Sequence, residues 1–243
     1  IQFWNLYGDY DWDLTDQWSA KVGLVYSYND YTEETFVEPR ITTRYQLNDD
    51  YRIKLAIGQH HQWFRQYKYL SEEFGSSELE LSTANHYVLG LEFESDSDWA
   101  WRVETYYKDM DKLIVSNPEN QVTSLESSAG GGSQGNASST GPNYLNKGVG
   151  EAYGVEVLIN KAISNNWYGW LSIAYSHTER VNELTGEKFN YQYDLPWIVN
   201  LVSNYEINEQ WQLGIRWRYE SGNLYTPIEG ANPVYPLDDQ NQP

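Results

Sequence analysis

Trp211-Gln212-Leu213-Gly214-Ile215-Arg216-Trp217-Arg218-Tyr219 is the stretch that decides the fold. Its odd positions are all large and apolar or aromatic, and its even positions are polar, charged or glycine. Successive side chains of a strand point to opposite faces, so this segment has one apolar face and one polar face. Trp211 and Tyr219 stand eight residues apart in the apolar row, and the same offset recurs in Trp4–Trp12, Trp18–Tyr26, Trp99–Tyr107, Trp167–Tyr175 and Trp197–Tyr205. An even offset keeps both members of a pair on one face. At ~3.3 Å per residue and a tilt near 40°, eight residues rise about 20 Å, close to the roughly 25 Å apolar band between the aromatic girdles of a membrane barrel. A sandwich or a propeller has no reason to repeat that distance on six strands.

Composition permits this reading without forcing it. The chain has 243 residues with 11 Trp and 22 Tyr against 6 Phe, a bias suited to side chains with an apolar body and a polar tip at a membrane–water boundary. A Tyr-rich soluble β-domain or a carbohydrate binder fits the same composition. Mean hydropathy is −0.71, and no run approaches the roughly 20 apolar residues of a spanning helix. A barrel strand buries only alternate residues in lipid, so low hydropathy does not exclude it. Cysteine is absent, and the net charge of −19 argues against a nucleic-acid partner, which needs a basic stripe. Position 1 is Ile and no signal peptide follows, so the expected N-terminus of the protein lies elsewhere.

Alternation continues along the chain and predicts an all-β, antiparallel fold of about ten strands, roughly 2–12, 18–29, 36–47, 51–61, 85–95, 98–115, 151–163, 166–179, 195–207 and 210–221. Short polar turns follow every odd strand (13–17, 48–50, 96–97, 164–166 and 208–209). Long loops follow most even ones (62–84, 116–150, 180–194 and 222 onward). Short turns on one rim and long loops on the other are the layout of an outer-membrane barrel. Lys21, Arg40, Arg44, Arg52, Lys54, Arg102, Lys108, Arg216 and Arg218 all fall out of phase with the apolar rows, which assigns them to the lumen. On the lipid face each would cost about 2–4 kcal/mol near the midplane.

No chemistry-bearing motif survives inspection. Gly148-Val149-Gly150-Glu151-Ala152-Tyr153-Gly154 has dinucleotide-like glycines but lies between a Gly/Ser-rich loop and a strand, without the helix whose N-terminus meets a pyrophosphate. Four histidines are present, His60, His61, His86 and His177; the adjacent pair would face opposite sides of a strand, and His177, near a long loop, has no partner at ligand spacing. No nucleophile with a base, no metal site and no cofactor site is expected.

Several segments then resemble the TonB-dependent receptors. Trp217-Arg218-Tyr219-Glu220-Ser221-Gly222-Asn223-Leu224-Tyr225-Thr226-Pro227 is similar to a late strand and its Ser-Gly-x-Pro-Tyr-Thr-Pro tail, with Leu224 in the proline place. Gly148, Ala152 and Tyr153-Gly154-Val155-Glu156 resemble a Gly-x-x-x-Ala-x-Gly-x-Glu strand start. Tyr193-Asp194-Leu195-Pro196-Trp197 resembles Tyr-Asp-x-x-His, with Trp197 in the His place. Glu38-Pro39-Arg40 and the segment from Leu81 through His86-Tyr87-Val88-Leu89-Gly90 match two earlier signatures.

The resemblance implies a 22-stranded barrel of which residues 1–243 are a C-terminal portion. About ten strands and the N-terminal plug would precede the chain, and about two strands would follow it. It further implies outer-membrane lipid and TonB as partners, the latter engaged through a box outside these residues, and a small-molecule or metal-chelate substrate such as a ferric siderophore or cobalamin. Trp63, Arg65, Tyr67, His177 and Arg180, in or beside the long loops, are the candidates for ligand contact. A small passive channel or adhesin barrel and a soluble β-rich binding module are the alternatives.

Overall fold

In the computed structural model the described residues are 2–30, 33–62, 76, 78–96, 98–120, 142–191 and 194–222. They form one antiparallel sheet of eleven strands: β1 (Phe3–Asp13), β2 (Trp18–Asn29), β3 (Glu34–Gln46), β4 (Tyr51–Gln62), β5 (Ser82–Glu94), β6 (Trp99–Ser116), β7 (Tyr144–Ser164), β8 (Trp167–Asn182), β9 (Glu187–Asn190), β10 (Trp197–Asn208) and β11 (Trp211–Glu220). Ten of them follow chain order across the sheet, and the four-residue β9 pairs only with β8. Among the described residues β1 pairs only with β2 and β11 only with β10, so the sheet is open.

The short turns are set by local polar groups. The Thr15 hydroxyl accepts from the amides of Gln17 and Trp18 at 3.2 and 3.0 Å, and Asn48 Oδ1 from Asp50 and Tyr51 at 3.0 and 2.9 Å. Asn208 Oδ1 does the same for Gln210 and Trp211 at 2.9 and 3.0 Å. Asn165 and Asn166, with φ of 49° and 65°, supply the two left-handed residues that a tight hairpin needs.

The register carries a geometric test. One cross-strand row runs Trp12, Ala20, Thr43, Leu55, Leu89, Thr105, Val155, Tyr175, Trp197. It begins in the aromatic line beside the short turns and ends in the one beside the long loops. Its eight strand steps at ~4.8 Å span about 38 Å perpendicular to the strands, while the eight-residue pairs span about 26 Å along them. Both paths cross the same band only if the strands tilt by about 35° and the band is about 22 Å high. Those are the dimensions of a membrane barrel wall, reached here from register alone.

The faces agree. Between the two aromatic lines the row-mates of the Trp/Tyr pairs include no acidic residue and one basic one, Lys161, which sits at the line itself. Its Nζ lies 5.6 and 5.4 Å from the ring centres of Trp99 and Trp167 and 3.9 Å from Asp98. Most of the exposed large apolar residues lie on this face: Leu6 is 72% exposed, Leu89 52% and Leu213 54%. Among the described residues the sheet is a single layer with no second layer over that surface, an arrangement that water does not tolerate and lipid does. Two indoles within the band satisfy their N–H across the sheet, Trp18 on the Thr43 hydroxyl and Trp167 on Ser203 at 2.8 Å.

Four strands differ from expectation by three residues or more. β5 starts at Ser82 rather than 85, β7 starts at Tyr144 rather than 151, β8 runs to Asn182 rather than 179, and β9 occupies part of the predicted 180–194 loop. The extra pairing lies beyond the long-loop aromatic line, where no lipid enforces alternation. Register also shifts there between Met110 and Leu113, around Lys112 at φ 56°. Asn146 secures this region: its Oδ1 accepts from Glu80 N at 2.7 Å, and its Nδ2 donates to Glu80 O at 2.8 Å and Lys112 O at 2.7 Å. The Glu80 carboxylate hydrogen-bonds the Lys112 ammonium and raises its pKa.

Candidate functional site: the polar face

Lys21, Arg40, Arg44, Arg52, Lys54, Arg102, Lys108, Arg216 and Arg218 lie in the rows opposite to the aromatic pairs. Parity identifies this face but not the partners, and the acids on it were not singled out by sequence reasoning. Arg52 pairs with Glu92 at 3.3 Å, Lys54 with Glu104 at 3.1 Å, Lys21 with Asp11 at 3.3 Å, and Arg218 with Glu220. The Lys54–Glu104 pair spans β4 to β6 because the intervening position on β5 is Gly90. A Cβ there would lie 3.2 Å from Glu104 Cγ. Gly154 works alike: Tyr106 lies over it, within 2.7 Å of where a Cβ would be, and reaches Ser176 on the far side.

The wall parts between β3 and β4. Their pairing stops at Arg40↔Gly58, next to Pro39, which has no N–H to give to a neighbour. Past that point the Glu38 carboxylate replaces the backbone acceptor, taking the His61 amide at 2.6 Å, and also lies 3.2 Å from His61 Nδ1. A groove of about 410 Å³ opens there, lined by Phe36, Glu38, Arg40 and His61 with Asn5 and Leu81. His60 turns away from His61 and packs on His86, ring centres 4.4 Å apart. The two adjacent imidazoles thus have separate partners, and no group of three metal-ligating side chains occurs among the described residues.

Of the candidates for ligand contact, Trp63, Arg65 and Tyr67 lie outside the described residues. The other two are not brought together. His177 stands in the aromatic-face row beside Tyr153, with Nδ1 3.5 Å from Asp194 Oδ2. Arg180 has the opposite parity, and its guanidinium stacks 3.8 Å above the Tyr191 ring.

The family model for TonB dependent receptor-like β-barrels matches residues 1–241. The chain belongs to that family. Its members are transport receptors of the Gram-negative outer membrane rather than enzymes. Solved receptors share the fold at low identity. The siderophore receptor PirA of Acinetobacter baumannii matches with a TM-score of 0.70 at 15% identity over 89% of this chain and 33% of its own. PirA of Pseudomonas aeruginosa gives 0.66 at 13% over 91% and 38%, and the copper transporter OprC 0.61 at 14% over 89% and 33%. The chain therefore spans about a third of the length of the solved receptors it matches. A comparison with the curated proteins finds no match.

Proposed function

We propose that this chain is the C-terminal part of the wall of an energised outer-membrane importer. The aromatic face lies in lipid and the polar face lines the lumen. A plug domain and a TonB-engaging box are carried by the same protein outside these residues. The observation that carries the reading is the family match over residues 1–241 on a sheet whose register fits a tilted membrane wall. Captured ligand would pass when TonB displaces the plug, and its class would be a scarce chelate. Ferric siderophores are favoured over cobalamin because structural relatives such as the PirA proteins are siderophore receptors.

The test is uptake by cells expressing the complete gene as their sole receptor of this family. A panel of ⁵⁵Fe-labelled siderophores and labelled cobalamin is offered with and without TonB. The expected result is accumulation of one compound that disappears without TonB. Accumulation indifferent to TonB, together with a signal peptide directly before Ile1, would instead identify a passive barrel.

A further inference from the structure

Two imidazoles meet on the polar face without the kind of partner that holds the other two. His61 lies 3.2 Å from the Glu38 carboxylate, and His177 lies 3.5 Å from that of Asp194. Among the described residues His60 and His86 have no carboxylate within 4.0 Å. They pack on each other instead, ring centres 4.4 Å apart and planes at 42°. They come from neighbouring strands at a diagonal, since His86 pairs with Gly58 and His60 with Ala84. The small residues at the other two corners leave the rings room, and His60 Nε2 stands 3.2 Å from where a Cβ at Gly58 would be. The row continues onto β6, where Ala84 pairs with Met110, the one methionine of the chain.

The spacing suits a shared metal ion. Metal–nitrogen bonds of about 2.0–2.1 Å put an ion about 3.2 Å from each ring centre, so two rings at roughly 90–110° around it stand about 4.5–5.2 Å apart. The observed 4.4 Å reaches that range through rotation about Cβ–Cγ, a broad and soft torsion. Among the described residues no third imidazole and no carboxylate joins the pair, which disfavours the hard cations that need oxygen ligands. The donor beside the rings is sulfur. Met110 lies diagonal to His86 on the far side from His60, a separation of about 7–8 Å that long side chains span. A thioether with imidazoles is a soft set, matched to copper(I). Lys108 pairs with His86 but is directed along β6 away from Met110, its Nζ 5.2 Å from the centre of the Tyr106 ring.

We propose that His60 and His86, with the Met110 thioether, bind a copper(I) ion on the polar face of the wall. The rings supply two nitrogen ligands fixed on adjacent strands, and the unbranched Met110 side chain closes on the ion from β6. Neutral imidazole is the ligating form, and two neutral rings stand this close without charge repulsion. The site goes beyond the importer reading, which supplies only the lumen that it faces.

The test uses the complete receptor purified in detergent and titrated anaerobically with copper(I) against a chromophoric copper(I) chelator, with zinc(II) as the counter-probe. The parent protein should take from the chelator one copper equivalent that His60→Gln and His86→Gln each lose. The affinity should fall at least about 100-fold, beyond the roughly 10- to 100-fold typical of groups that only surround a ligand shell. Met110→Leu, of similar volume, should weaken copper(I) about 10-fold and leave zinc(II) unchanged. His61→Gln, whose parent ring faces Glu38 instead, should keep the full equivalent. Folding of each variant is checked by heat-modifiable migration. Equal copper uptake by the parent and both Gln variants, an equal loss in His61→Gln, or zinc(II) displacing the copper at equal concentration would overturn the site. An unchanged Met110→Leu would overturn the choice of copper(I). Binding is read without TonB, so its failure leaves the importer standing, and TonB-independent uptake would leave the copper site standing.

Discussion

Arginine placed along the apolar row of β5 should trace the depth of the bilayer. Leu89 is the fifth of the nine residues in the row from Trp12 to Trp197, four strand steps from either aromatic line, which puts it at the midplane. At a tilt of about 35°, each move of two residues along β5 changes depth by about 5 Å. Leu91 and Tyr87 then lie about 5 Å from the midplane, and Phe93 and Asn85 about 11 Å, at the edges of the band. An arginine costs about 2–4 kcal/mol at the midplane of such a wall and about 0–1 at its edge. Leu89→Arg should therefore be the most destabilising of the five, Leu91→Arg and Tyr87→Arg intermediate, and Phe93→Arg and Asn85→Arg nearly silent. Val88→Arg, one residue away but on the polar face, should cost little. The assay is urea unfolding of the complete receptor in phosphatidylcholine vesicles, read by tryptophan emission. A flat profile, a maximum at Phe93, or a Val88→Arg penalty equal to that of Leu89→Arg would refute both the face assignment and the tilt.

Two further substitutions probe the wall's construction. Gly154→Leu would press a Cβ onto Tyr106 and, at 2.3 Å, onto the backbone carbonyl of Tyr175, which cannot yield as a side chain can. It should cost roughly 1–3 kcal/mol or more, and Tyr106→Ala in the same protein should recover only part of the lost heat-resistant fraction. Asn146→Ala removes three hydrogen bonds of 2.7–2.8 Å that hold Glu80 and the Lys112 bulge. At ~1 kcal/mol each or less for exposed groups, the Glu80 amide should exchange about 10- to 100-fold faster while unfolding of the membrane wall is unaffected.

The fold was legible where the solvent enforces a pattern. Lipid on one side requires an apolar residue at every second position, so the strands within the band, their faces and the eight-residue aromatic pairs could all be read from parity. Beyond the long-loop line nothing enforces alternation, and residues 144–150 and Glu187–Asn190 pair as strands despite glycines and charges. Cross-strand partners were the other gap. Parity placed Arg52, Lys54, Arg40 and Lys108 on one face, but only the register shows that the first two meet Glu92 and Glu104 while the last two share a row with His86. One usable signal went unread. Pro39 sits within a strand paired on both sides, and a proline there announces a break in the ladder to one neighbour. That break opens the groove beside Arg40.

The small number of buried apolar side chains among the described residues ties the wall's stability to its surroundings. The buried apolar residues, Phe36, Leu79, Leu81, Leu113, Val115 and Ala152, are few and lie mainly toward the long-loop end. Within the band the sheet gains its apolar burial from lipid, and its backbone must be hydrogen-bonded on both sides of every strand, because an unpaired amide or carbonyl in hydrocarbon costs several kcal/mol. Among the described residues β1 pairs along one side only, with β2, and β11 along one side only, with β10. A sheet of this register therefore persists in a membrane only when further strands cover both edges, and those same strands close the polar face away from lipid. Closure converts the charged rows of β3 to β6 from surface into the inner wall of a pore. The strands that make the sheet stable in lipid are also the ones that enclose its polar face.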